Sequence, residues 1–131
     1  MEIPSFQDPR TIQRILRDMR RVAVVGVSAN ESRPSYFVAY YLKRMGFDVI
    51  PVNPRYEEVL GLPCYPSLAA LPEAPEVVDV FRRPEDVGEI VDGAIAAGAK
   101  ALWLQFDVVN ETEAARASES GIAVVMDRCM K

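Results

Sequence analysis

Five short runs of β-branched and aliphatic residues recur along the chain: VAVVGV, FDVIPV, VVDVF, ALWLQ and IAVVM. Between them lie segments whose apolar residues return at helical spacing. Each run is too short for a helix. The first, VAVVGV, is also continuous enough to read as a strand covered on both sides. This alternation constrains the chain more than any other feature of its sequence.

Strands separated by helices need crossover connections, which are right-handed and make successive strands parallel. The pattern therefore implies an α/β fold, a doubly wound parallel five-stranded sheet of Rossmann-like type with helices on both faces. Strand order 3-2-1-4-5 is the expected arrangement, with the flavodoxin-like order 2-1-3-4-5 as the alternative.

The helices have their own punctuation. Asp8-Pro9 reads as an N-cap followed by proline at the first helical position, with Ile12, Ile15, Leu16 and Met19 recurring behind it. A second helix is expected from about Ser35 to Met45, with Gly46 placed to stop it in a left-handed conformation. Asn53-Pro54 ends the second strand, because proline drives the residue before it out of the helical region. The proline-rich stretch from Arg55 to Pro75 reads as an extended connection with a turn or two of helix near Ser67 to Leu71. Pro84 opens a helix carrying Val87, Ile90, Val91, Ala94 and Ile95, closed by Gly98. Asn110 with Glu113 resembles a capping box for a last helix, and Gly121 precedes the fifth strand.

Composition excludes several functions. At 131 residues the chain is expected to form one domain over 1–131. Its net charge of −4, with Arg20-Arg21 and Arg82-Arg83 only as pairs, argues against a nucleic-acid surface. No apolar stretch approaches the ~20 residues of a membrane span, and MEIPSFQDPR lacks the order of a signal peptide, so no membrane association is expected and the cytoplasm is the expected compartment. Cys64 and Cys129 have neither metal-pair spacing nor the density of a disulfide framework. Histidine is absent, which excludes His-activated nucleophiles, His metal ligands and phosphohistidine in this chain.

In an open sheet of this type, ligands bind outside the carboxyl ends of the strands at the point where strand order reverses. That selects Gly26 to Ser35, Asn53 to Arg55, Phe81 to Pro84, Gln105 to Asp107, and Asp127 to Cys129. In the first of these loops Gly26 suits a tight turn, but Ser28 stands where the dinucleotide fingerprint repeats its glycine. Amides at the start of the following helix suit a phosphate, Ser28, Asn30, Ser32 and Ser35 add polar donors, and Arg33 adds charge. An ordinary polar loop with a helix cap at Ser35 is the competing reading. After the second strand, Asn53, Pro54 and Arg55 replace the acidic residue that holds a ribose diol. Arg55 suits a phosphorylated ribose, which favours NADP or coenzyme A over NAD.

The segments GVSANESRPSYFVAYYL, VIPVNPRYEEVLGLPCYPSL, VDVFRRPEDV, ALWLQF and VVMDRC, in this order and spacing, resemble the small CoA-binding domain proteins related to the N-terminal domain of the succinyl-CoA synthetase alpha subunit. The resemblance implies a coenzyme A site with first-loop contacts on Ser28, Ala29 and Asn30, a contact near Arg55 after the second strand, contacts near Leu104 and Gln105 after the fourth, and the Phe81 to Pro84 turn lying along the ligand. The reading of the strand-end loops adds Gly26, Val27, Arg33, Pro34, Ser35, Asn53, Pro54, Arg82 and Arg83 to the expected binding residues. The synthetase's phosphorylated histidine belongs to a further domain, so the resemblance implies a binder of CoA or acyl-CoA without self-contained catalytic machinery. Asp107 stands where many relatives are expected to carry glycine.

Two alternatives accompany this reading. An NADP-dependent oxidoreductase would use the same loop and Arg55, and a CoA-binding subunit would complete an acyl-CoA synthetase with another chain. A protein partner or a homo-oligomer is left open. Cys129, beside Arg128, reads first as a small, partly buried residue and second as a thiol able to exchange with CoA. Trp103 and Phe81 are expected in the core. Asp79, between Val78 and Val80, needs a partner or the solvent of a cleft.

Overall fold

The computed structural model describes residues 5–131; the first four, the start of the segment read for a leader, lie outside it. Helix α1 (Pro9–Asp18) begins where the Asp8 carboxylate accepts from the Thr11 amide. Strand β1 (Arg21–Val25) leads to α2 (Pro34–Arg44) and β2 (Asp48–Val52). A small antiparallel pair, β3 (Glu58–Val59) and β4 (Leu62–Pro63), and a 3-10 turn at Leu68–Ala70 follow. Then come β5 (Val77–Val80), a 3-10 turn at Pro84–Asp86, α3 (Val87–Ala97), β6 (Ala101–Leu104), α4 (Glu111–Glu119) and β7 (Ala123–Val125).

β1, β2, β5, β6 and β7 form one fully parallel sheet, as the alternation requires. Because successive strand residues point to opposite faces, each strand feeds two cores. Val22 and Val24 of β1 pack with Trp103, Val38, Leu42, Ile12 and Ile15 on the side of α1 and α2. Ala23 and Val25 pack with Leu102, Leu104, Val87, Val91 and Ala114 on the side of α3 and α4. Helices thus cover both faces.

The strand order corrects the first expectation. It runs β2-β1-β5-β6-β7, so the third strand of the main sheet lies beside the first rather than outside the second. This is the flavodoxin-like alternative. Two local features explain it. Pro51 sits inside β2 and has no N–H for a second ladder, which suits an edge strand. β5 is buried at all four positions and so belongs inside the sheet. The long connection from β2 therefore passes β1 before re-entering the sheet, and Tyr65 on the way donates its amide to the Pro51 carbonyl at 3.0 Å. Sequence reasoning read this connection as extended and did not anticipate its β3–β4 hairpin, which turns through Leu60 at a left-handed φ of 57°.

Trp103 is fully buried as expected, whereas Phe81 is only half-buried. The indole Nε1 of Trp103 donates to the Arg128 carbonyl at 2.6 Å, tying the chain after β7 back to β6. Trp103→Phe keeps most of the apolar volume and loses that bond, so it should lower unfolding stability in urea by about 1–2 kcal/mol. Amide exchange should rise most after Met126.

Candidate functional site

The switch point lies between β1 and β5. There α2 leaves the sheet on one face and α3 on the other. Gly26 ends β1 with φ +86°, and a Cβ at this position would collide with the Phe81 carbonyl oxygen and come within 2.8 Å of Arg82 Cδ. Its amide donates to the Val52 carbonyl at 2.9 Å. The exits of β1, β2 and β5 are thereby packed together at one residue.

A cavity of about 390 Å3 opens on the α2 side of this bend, lined by Gly26, Ser28, Arg33, Pro34, Ser35, Phe81 and Gln105 among others. A second, of about 230 Å3, opens on the α3 side beside Val25, Val52, Pro54, Ser67 and Arg82. A larger one of about 640 Å3 lies between α2 and the β3–β4 hairpin, with Tyr36, Tyr40 and Lys43, and takes only Ala29 of the expected residues. We place the site at the two cavities flanking Gly26. The buried polar residues among those described are Ser35, Asp79 and Gln105, and Ser35 and Gln105 line the larger of the two.

The first loop is held by its own side chains. The Ser35 hydroxyl accepts from the Ser28 amide at 2.9 Å, and the Ser28 hydroxyl accepts from the Asn30 amide at 3.0 Å. The Asn30 side-chain oxygen accepts from the Ser32 amide at 3.0 Å and from the Ser32 hydroxyl at 2.8 Å. Ser35 is therefore not the helix cap; α2 starts at Pro34 and Arg33 precedes it. Several amides expected to face an anion are already engaged, while those of Glu31 and Ser35 have no acceptor among the described residues. Arg33 and Arg55 form no ion pair among them either, whereas Arg82 and Arg83 both reach Asp86 at 3.3 Å.

The remaining expected residues divide. Asn53 is structural: its Nδ2 donates to the Val27 carbonyl at 2.8 Å and its Oδ1 accepts from the Arg55 amide at 2.9 Å. Val27 and Leu104 are sealed in the two cores, so only their backbone can meet a ligand. Asn30, Arg55 and Arg83 are exposed, and none of the three lines either cavity. Sequence reasoning missed Tyr56. Hydrogen bonds from the Ser28 hydroxyl and then the Ala29 amide favour its phenolate and lower its pKa. Cys129, in one of the selected strand-end loops, is exposed rather than partly buried and lines the 390 Å3 cavity. Asp107, at the position where relatives are expected to carry glycine, has a left-handed φ of 69°, and its amide donates to Asp127 Oδ1 at 2.8 Å.

Asp79 is the most unusual group. It lies in β5 beside Val24 and Trp103, wholly buried, with Oδ1 accepting from Gln105 Nε2 and Oδ2 without a partner among the described residues. Burial pushes its pKa up to about 8, against the opposing hydrogen bond from Gln105.

The sequence matches a known domain family. A family model described as CoA binding domain covers residues 20–131. The chain belongs to that family. The YneT protein of Bacillus subtilis is 35% identical over 131 residues, spanning 100% of this chain and 95% of that protein. The solved structure of a hypothetical protein from Pyrococcus horikoshii has a TM-score of 0.94 at 40% identity, covering 99% of this chain and 92% of that one. Acetate–CoA ligase (ADP-forming) I of Archaeoglobus fulgidus is 29% identical over 122 residues, covering 83% of this chain but 17% of the ligase. This CoA-binding domain is thus related to one region of a much longer enzyme. No helix among the described residues is long and apolar enough to cross a membrane.

Two outcomes follow from the geometry. Gly46→Ala meets only the left-handed backbone, since nothing lies within 4 Å of an added Cβ, and should cost about 1 kcal/mol. Gly26→Ala adds a backbone collision and should cost at least about twice as much in denaturant titration. For Asp79, the folded pKa of about 8 exceeds the ordinary 3.8, so the folded chain holds the proton more tightly. Its contribution is full below about pH 4, is lost as pH rises to about 8, and changes no further above that. The stability of Asp79→Asn relative to the parent should therefore climb across that window and then level off.

Proposed function

We propose that the chain binds coenzyme A or an acyl-CoA across the carboxyl ends of β1, β5 and β6, as a binding protein without catalytic machinery of its own. The observation that carries this reading is the pair of cavities on either side of the Gly26 bend. They suit a ligand with an adenosine at one end, a long flexible arm at the other and charge between them. In this reading the adenine lies against Val52 and Pro54 in the smaller cavity. The diphosphate passes the Gly26–Ser35 loop near Arg33 and the amide of Ser35. The pantetheine arm enters the larger cavity past Phe81 and Gln105.

Arg55, exposed at the end of β2 and free of ion pairs among the described residues, is assigned to the phosphate on the ribose. A charge-assisted contact contributes about 1.5–3 kcal/mol, so Arg55→Ala should weaken CoA roughly tenfold or more with little effect on folding. The same change should leave 3′-dephospho-CoA unaffected, which isolates the contact. Equal losses for both ligands would remove this assignment.

Thermal-shift titration with CoA, NADP and NAD side by side tests the reading as a whole. A ligand that binds only the folded chain raises its midpoint by mass action. CoA should do so most strongly; a response to NADP with none to CoA would instead support the oxidoreductase alternative. The ligase relatives favour a second reading, in which the chain is the CoA-binding subunit of a multi-chain acyl-CoA synthetase. Co-purification of a partner chain that confers ligase activity would establish it.

A further inference from the structure

Asp79 and Gln105 have no part in the binding scheme beyond Gln105 lining the cavity, yet they form a linked pair directly beneath it. By strand alternation Asp79, Trp103 and Gln105 share the face covered by α1 and α2. Gln105 is 3% exposed, and its Nε2 is committed to Asp79. Among the described residues its Oε1 accepts no hydrogen bond and is not one of the sealed, unpartnered atoms, so it keeps some exposure in a residue that lines the cavity.

We propose that Asp79 is a positioning residue that sets which end of the Gln105 amide faces the ligand, and so whether the site accepts the carbonyl of a thioester. The proposal rests on the CoA reading above. An ionised Asp79 has only acceptors, so Gln105 must give it Nε2 and present an oxygen to the cavity. A protonated Asp79 can donate to Oε1 instead, which lets the amide turn and present its N–H to a carbonyl oxygen. One buried proton thereby decides whether the cavity floor accepts or donates.

The surroundings leave this proton as the controlling charge. Val24 and Trp103 flank Asp79 in the sheet, and Val38, Ala39, Ile12 and Ile15 cover this face from the helices. None of these titrates. The arginines of α1, and Lys43 and Arg44 of α2, are exposed, and Tyr41 packs at the edge of the cluster. The titratable groups of the cavity itself are Arg33, Asp107 and Cys129. Burial and Gln105 alone shift Asp79, which puts its change of state near pH 8.

Acetyl-CoA and S-ethyl-CoA differ at the carbonyl oxygen and neither carries a free thiol, so their affinity ratio reads this one contact. Calorimetry with both ligands from about pH 6.5 to about 9.5 should show the ratio falling roughly five- to tenfold in the parent, against acetyl-CoA, as pH passes 8. In Asp79→Asn, whose amide cannot ionise, the ratio should stay flat. In the ligand-free parent, the side-chain amide resonance of Gln105, assigned by its loss in Gln105→Met, should move with a midpoint near pH 8 and stay still in Asp79→Asn.

Binding of both ligands with a pH-independent ratio in the parent, or with the same slope in Asp79→Asn, overturns the proposal and leaves the CoA reading intact. A Gln105 signal that does not move with pH overturns it as well. Binding of neither ligand at any pH overturns the CoA reading, and this proposal with it.

Discussion

The close approach of Gly26 to the Phe81 carbonyl governs the arrangement of everything around it. It lets β1 and β5 remain paired to their last residues while the chain after each strand turns to a different face. A side chain at Gly26 would wedge those exits apart. The cavities on the two sides of the bend exist because the strands stay together underneath while the loops diverge above.

Against this backbone constraint, the polar chemistry is concentrated in a small area. Ser35, Asp79 and Gln105 are buried where the apolar cores end, and each is held by or holds a neighbour. Ser35 fixes the Ser28 amide, and so shapes the first loop from inside the helix that follows it. The loop is consequently not an open fan of amides. Its recognition capacity resides in the few donors left over, in its hydroxyls and in Arg33.

Much of the fold was legible because periodicity reports burial directly. The five strands, the stops at Gly46 and Gly98 and the cap at Asn110 all arise from local chemistry that a short window contains. The position of β5 beside β1 was harder to read, since strand order depends on where a long connection travels. Pro51 carried a signal for it, as a residue without an N–H inside a strand run. The site was legible at the level of loops, because topology brings strand ends together. It was less legible at the level of side chains. Val27 and Leu104 turned inward, Asn53 became a brace and Cys129 emerged at the surface, all outcomes that depend on packing across the sheet. Asp79 stood out in sequence as a carboxylate among valines, but its partner Gln105 lies 26 positions away, just past the end of the neighbouring strand.

The margins of the sheet carry a consequence for how copies of this chain can meet. On one side Pro51 removes a donor from β2, and Tyr65 occupies the Pro51 carbonyl and the Asn53 amide. On the other, the Phe6 carbonyl takes the amide of Met126, and the Gln7 side chain takes the carbonyls of Met126 and Asp127. Both borders thus hinder edge-to-edge strand addition, a route to aggregation. At these two borders a neighbour meets side chains and bonds already made rather than a free main-chain ladder.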